Sequence, residues 1–175
     1  MRLFLFILFL FLPCLSFACE QCEVVVDIID GDTIVVMQNG KTKQVHLTSI
    51  DAPQMEQPYG KKAKTFAAKL MMNHVATISY IDSFHASDIV SSDGKSLKWG
   101  LVRSGLAWYP DNHRKKTLRD VSDKLGKHER KARRARKGLW AQDNPRPPWE
   151  LHQGSETLSS TMASLGNVSL GGIIG

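Results

Sequence analysis

The chain has 175 residues, 42% hydrophobic and 23% charged, with 23 Lys and Arg against 17 Asp and Glu for a formal net charge of +6. That length suits one domain of ordinary size with a core large enough to fold alone, and excludes an array of several domains. The basic excess favours polyanionic partners, held through counterion release without sequence preference.

Residues 1–18, MRLFLFILFLFLPCLSFA, read as a signal peptide. Arg2 supplies the positive start, Leu3 to Leu12 the apolar run, Pro13 the break, and Ser16 and Ala18 the small residues before cleavage. The run is short for a membrane span, so the expected mature chain carries no stable one. The alternative is an uncleaved anchor. Losing Arg2 leaves 22 basic residues against 17 acidic, or +5. The compartment implied is exported, either periplasmic or secreted. There Cys19 and Cys22, in CEQC, are expected to form a small disulfide, because no second pair completes a metal site. Lipid anchoring at Cys19 is a rival reading, and a redox role a weaker one.

The mature domain is expected to span 19–150. Val24 to Ile29 reads as a β-branched strand, Asp30 to Asp32 (DGD) as a tight turn or bulge, and Thr33 to Met37 as a second strand. Asn39-Gly40 signals a two-residue hairpin, which requires positive φ at both positions. Lys43 to Ser49 alternates and returns as a third strand. Pro58-Tyr59-Gly60 opens a helix carrying Ala63, Phe66, Ala67 and Leu70 at helical spacing. Val75 to Ile81 is a fourth strand. Between Ser83 and Gly94 only Ile89 and Val90 look strand-like. Leu97 to Ser104 predicts a short helix closed by Gly105, and Leu118 to Lys137 a long basic helix closed by Gly138. Pro145, Pro147 and Pro148 end the domain. Residues 151–175 are Ser/Thr/Gly-rich and are expected to be a disordered polar tail, with a glycosylation sequon at Asn167.

These elements predict an α+β domain, mainly a β-barrel with helices: five strands in an OB-fold arrangement with about three helices. The segments VVVDIIDGDTIVV, HLTSIDAPQMEQPYGKKA, LVRSGLAW, ERKARRARKGLW and NPRPPWE occur in this order between Val24 and Glu150. In combination they resemble the staphylococcal (thermo)nuclease family. The resemblance implies an OB-fold barrel with a Ca²⁺-dependent phosphodiesterase site cutting DNA and RNA with little sequence preference. Asp32 and Asp51 match its calcium aspartates, with Ala52 supplying a backbone carbonyl. Taken singly, Asp32 reads as a turn residue and Asp51 as a side-chain cap. Taken together, they supply the hard oxygen donors calcium prefers.

Three positions depart from the family pattern. Gln54 aligns with the catalytic glutamate, and an amide orients water but does not take its proton. His46 aligns with the first phosphate-binding arginine and lacks its bidentate fork. Ala86 aligns with the second, and the strand after it looks about two residues short, so a distorted barrel is expected. A general base contributes roughly 10²–10⁴-fold, and one preorganised charge donor about 10²–10³-fold. Glu56, His46, Lys61, Lys62 and Arg103 are candidate substitutes.

Two functions of different class follow. One is a degenerate nuclease that binds single-stranded DNA or RNA as a monomer, with Phe84 and Tyr109 as stacking aromatics and Lys61 and Lys62 as basic contacts. The other is an active Ca²⁺-dependent secreted nuclease with altered catalytic groups. Trp108 is expected to pack in the core, and Trp140 to seat the last helix on the barrel.

Overall fold

The computed structural model describes residues 22–115 and 117–150. The expected signal peptide, Cys19 and the polar tail lie outside them. Val24, Val25 and Val26 begin the β-branched run of β1 (Cys22–Ile28), which pairs antiparallel with β2 (Thr33–Gln38). Asn39 and Gly40 take φ of 51° and 75°, the conformation expected of that dipeptide in a hairpin. The hairpin returns the chain as β3 (Lys41–Leu47), and β4 (Val75–Tyr80) and β5 (His85–Ser91) complete a closed barrel in the order β1-β2-β3-β5-β4. Closure depends on a short parallel pairing in which His46 faces His85 and Leu47 faces Ala86. Every other pairing is antiparallel.

The barrel is filled by Val25, Ile28, Ile34, Val36, Val45, Leu47, Ile78, Ala86 and Ile89. Helix α1 (Gly60–Met71) lays Ala63, Ala67 and Met71 on this core. Phe66 and Leu70 pack against its edge as half-buried residues. Helix α2 (Leu97–Ser104) matches the expected bounds and is capped by Ser96, whose side chain accepts from the Trp99 amide. Cys22 is disulfide-bonded.

Several expectations needed correction. β5 runs seven residues and the barrel closes, with a register shift where the pairing passes from Ser79–Asp88 to Tyr80–Ala86. Its polar residues are satisfied locally: Asp88 accepts from Ser96 Oγ at 2.7 Å, and Ser87 O accepts from Lys98 Nζ at 2.6 Å. A strand that builds a helix cap need not look apolar. A one-turn helix, α3 (Asp111–Arg114), was not expected. The basic helix α4 covers Arg119–Arg134, shorter than expected at both ends. Leu118 is 80% exposed outside its start, and Arg136 takes a left-handed φ of 49° beyond its end. There the chain turns into a 3₁₀ segment, Gly138–Ala141. Trp140 of that segment meets the Trp108 ring edge-on at 5.7 Å and lies under Arg133. Trp108 is itself buried, so both tryptophans pack as expected.

α4 is docked by charge as well as apolar contact. Glu129, buried among Leu125 and Ala132, accepts from Arg114 at 2.8 Å, from Arg133 at 3.0 Å and from the Tyr109 amide at 3.2 Å.

The turn between β1 and β2 packs closely on the loop after β3 and on α1. Asp30 Oδ1 accepts from the amides of Asp32 and Thr33 at 3.1 and 2.8 Å, folding DGD back on itself. A Cβ on Gly31 would lie 2.6 Å from that of Ala52 and 2.8 Å from that of Ala63. Gly31→Ala is therefore expected to destabilise the domain by about 1–3 kcal/mol through overpacking. Urea unfolding checks this, and an unchanged midpoint would contradict the close approach.

Candidate functional site

The ends of β2 and β3 and the loop after β3 converge on one corner. Asp32 lies just before β2, so the DGD turn fixes its backbone. Its side chain is buried (5% exposed), and its Oδ2 accepts from the Ala52 amide at 2.5 Å. Asp51 is held by a two-bond bridge to Trp108: its amide donates to Trp108 O at 3.1 Å and its carbonyl accepts from Trp108 N at 2.8 Å. His46, one residue before the end of β3, points to the same place. Its Nδ1 is 3.1 Å from Thr33 Oγ1 and 3.6 Å from Asp32 Oδ1. Asp32, His46 and Asp51 each offer a ligand atom within 4.8 Å of the others.

These three line a cleft of about 260 Å³, with Asp30, Thr33, Ala52, Gln54, Pro148 and Trp149 as its other walls. A larger cleft of about 600 Å³, bounded by Thr48, Ile81, Lys98, His113 and Leu118, contains neither the two aspartates nor His46. The chemistry belongs to the smaller one.

The smaller cleft is acidic. Burial, then the adjacent Asp30 carboxylate, push the Asp32 pKa well above the usual 3.8, against the pull of the Ala52 amide. Burial also raises Asp51, opposed by the charges of His113 and His46. Burial lowers His46 from the usual 6.5, although Asp30 and Asp51 favour its cation. Three carboxylates thus share a site whose lining residues include no lysine or arginine. Such a site repels a phosphate unless a cation stands between them.

Gln54 lines the cleft where the family pattern has an acid. Its loop is pinned: Gln57 Oε1 accepts from the Gln54 amide at 2.8 Å, and Gln57 Nε2 donates to Arg146 O at 3.1 Å. Glu56 is exposed on that loop and is not among the lining residues, so the structure does not bring it to the site. Arg103 lies against the Trp99 ring, likewise outside the cleft walls.

Two further readings change. Ala86, matched above to the second arginine, has no exposed surface and fills the barrel core. Strand alternation places its neighbour His85 on the outer face, with its ring 6.1 Å from that of His46. His85 touches the ring of His46 from outside the cleft and is not one of the cleft's lining residues. Its Nδ1 is held by Asp82 at 2.8 Å. Tyr109 is only 1% exposed, covered by the Arg114 guanidinium, and unavailable for stacking. Phe84 is 63% exposed and available. Lys61 and Lys62 are exposed on the first turn of α1, with the Lys62 ammonium over the Tyr59 ring. Asp30 and Trp149, which line the cleft, were missed from sequence. The WE pair closing NPRPPWE was the one local signal for Trp149.

A closed five-stranded barrel with an acidic, cation-competent corner beside an exposed aromatic defines the class: a nuclease-type OB-fold domain. The family model described as "Staphylococcal nuclease homologue" matches residues 44–142. An Escherichia coli O157:H7 protein named "Uncharacterized endonuclease" is 30% identical over 129 residues, covering 71% of this chain and 80% of that protein. A "Micrococcal nuclease" of Shigella flexneri is 29% identical over 148 residues, covering 78% and 83%. A "Probable staphylococcal-like nuclease" of Oryza sativa subsp. japonica is 32% identical over 113 residues, 63% of this chain and 32% of the plant protein. The chain belongs to the staphylococcal nuclease family.

The raised Asp32 value fixes a sign. The cost of its buried charge is absent below the ordinary 3.8 and grows as pH rises through the folded-state value, so the metal-free protein loses that stability going up in pH. Asp32→Asn removes this slope. In chelator at pH 7 the variant is expected to melt higher than the parent, by roughly 4 °C per kcal/mol recovered. The gap should close toward pH 4. A variant melting lower at every pH would refute the assignment.

Proposed function

We propose that this protein is an exported, monomeric relative of staphylococcal nuclease that binds single-stranded DNA or RNA and hydrolyses it little. The observation that carries the reading is Gln54 in the cleft with no lysine or arginine among the lining residues. A water beside Gln54 can be oriented by the amide but keeps its proton. His46 and Ala86 stand at the two arginine positions of the family pattern, so an imidazole without the bidentate fork and a methyl group take the place of two guanidinium groups. Loss of a base and of fixed charge donors removes most of what such a site contributes to phosphodiester hydrolysis.

What remains favours binding. Phe84 offers an exposed ring to a base, Lys61 and Lys62 offer charge to the backbone, and α4 presents a further basic face. Export is supported by the apolar run and small residues of 1–18, with the domain beginning at Cys19. No described helix is long and apolar enough to cross a membrane.

A second reading, an active nuclease with altered groups, is favoured by Asp32 and Asp51, which strand binding does not need. Calcium, the ion expected with that activity, suits the two carboxylates and the Ala52 carbonyl. It does not suit the imidazole at the third corner, because calcium takes oxygen ligands.

Labelled single strands separate the readings. Binding without cleavage is expected, weakening steeply with salt, and Phe84→Ala should lower affinity by about 5–150-fold. Gln54→Glu should raise the residual cleavage rate by at least about 10²-fold. Rapid wild-type cleavage lost in Asp32→Asn would establish the second reading instead.

A further inference from the structure

We propose that the Asp32–His46–Asp51 corner is a mixed nitrogen-oxygen site for a borderline transition-metal dication, zinc or its first-row neighbours, in place of calcium. The argument starts from the position of His46. An arginine there would repel a cation and bind phosphate. An imidazole is a metal ligand. His46 has a ring nitrogen within 4.8 Å of a carboxylate oxygen from each aspartate. Three atoms at that spacing lie at most about 2.8 Å from a common centre. Side-chain movements of under about 1 Å bring them to zinc bond lengths near 2.0–2.2 Å.

The donor set selects the metal. Calcium takes six to eight oxygens at about 2.3–2.6 Å and gains little from nitrogen. Zinc, iron, cobalt and nickel accept imidazole together with carboxylate. Two aspartates and a histidine make three protein ligands and leave a coordination position open, the pattern of catalytic rather than structural zinc sites.

The supporting shell is present. Thr33 Oγ1 lies 3.1 Å from His46 Nδ1, the nitrogen that faces Asp32 Oδ1 at 3.6 Å and that a metal would take over, and the Ala52 amide holds Asp32. A partner such as that amide fixes ligand orientation and tunes affinity. A third carboxylate, Asp30, adds negative charge to a cleft whose walls carry no lysine or arginine. Gly31, packed on Ala52 and Ala63, keeps the DGD turn from swinging Asp32 away.

The inference goes beyond strand binding and does not need it, since metal titration and strand binding are separate measurements and either can fail alone. Metal-stripped full-length chain is titrated calorimetrically with Zn²⁺, Co²⁺ and Ca²⁺, and the visible spectrum of the cobalt-loaded form is recorded. One site per chain is expected, with Zn²⁺ and Co²⁺ bound at least about 10-fold more tightly than Ca²⁺. His46→Arg should weaken Zn²⁺ by 10-fold or more and abolish the cobalt spectrum, whereas His74→Gln, outside the cleft, should change neither. If His46→Arg fails to fold by circular dichroism, His46→Gln serves in its place. Tighter calcium than zinc binding, or zinc binding unchanged in the folded His46 variant, overturns the proposal.

Discussion

The bond from the Ala52 amide to the buried Asp32 carboxylate ties two parts of the chain 20 residues apart. It forms only because Gly31 lets the β1–β2 turn approach Ala52 and the first turn of α1 at under-normal Cβ spacing. The strand meander, the loop after β3 and the helix are thus fixed to one another at a single point. The charge at that point is costly, since burial and Asp30 both oppose it. A ligand that binds only the ionised form would recover that cost.

The same corner explains why substitution of individual groups need not dissolve the site. Asp51 is held by its backbone through Trp108, and Trp108 packs on Trp140 and Trp149. Trp149 in turn walls the cleft. The aromatic cluster at the end of the domain and the acidic corner are therefore one mechanical unit.

Glu129 plays the corresponding part on the other side. It joins α4, the arginine of α3 and the backbone at Tyr109 in one charge network. Removing one member of such a buried network leaves the others uncompensated, so the basic helix stays docked while most of its cations face solvent.

Local chemistry made much of this legible. The Asn39-Gly40 turn and the bounds of α2 follow from residue types at short range, because turn geometry and capping depend on neighbours, whereas the pairing of Asp32 with Asp51 rests on the family resemblance. β5 was obscured because its polar residues serve Ser96 and Lys98, partners 8 to 11 residues away. The burial of Ala86 was not legible because one residue of register turns a side chain from the core to the outer face, and only the pairing of β3 with β5 fixes that register. Tyr109 looked available until Arg114 and Glu129 closed over it. The sequence by itself determined the barrel class, the two aspartates and the missing acid at Gln54. The tertiary structure alone decided that His46 meets those aspartates, since their ligand atoms come from separate elements that only barrel closure brings within reach.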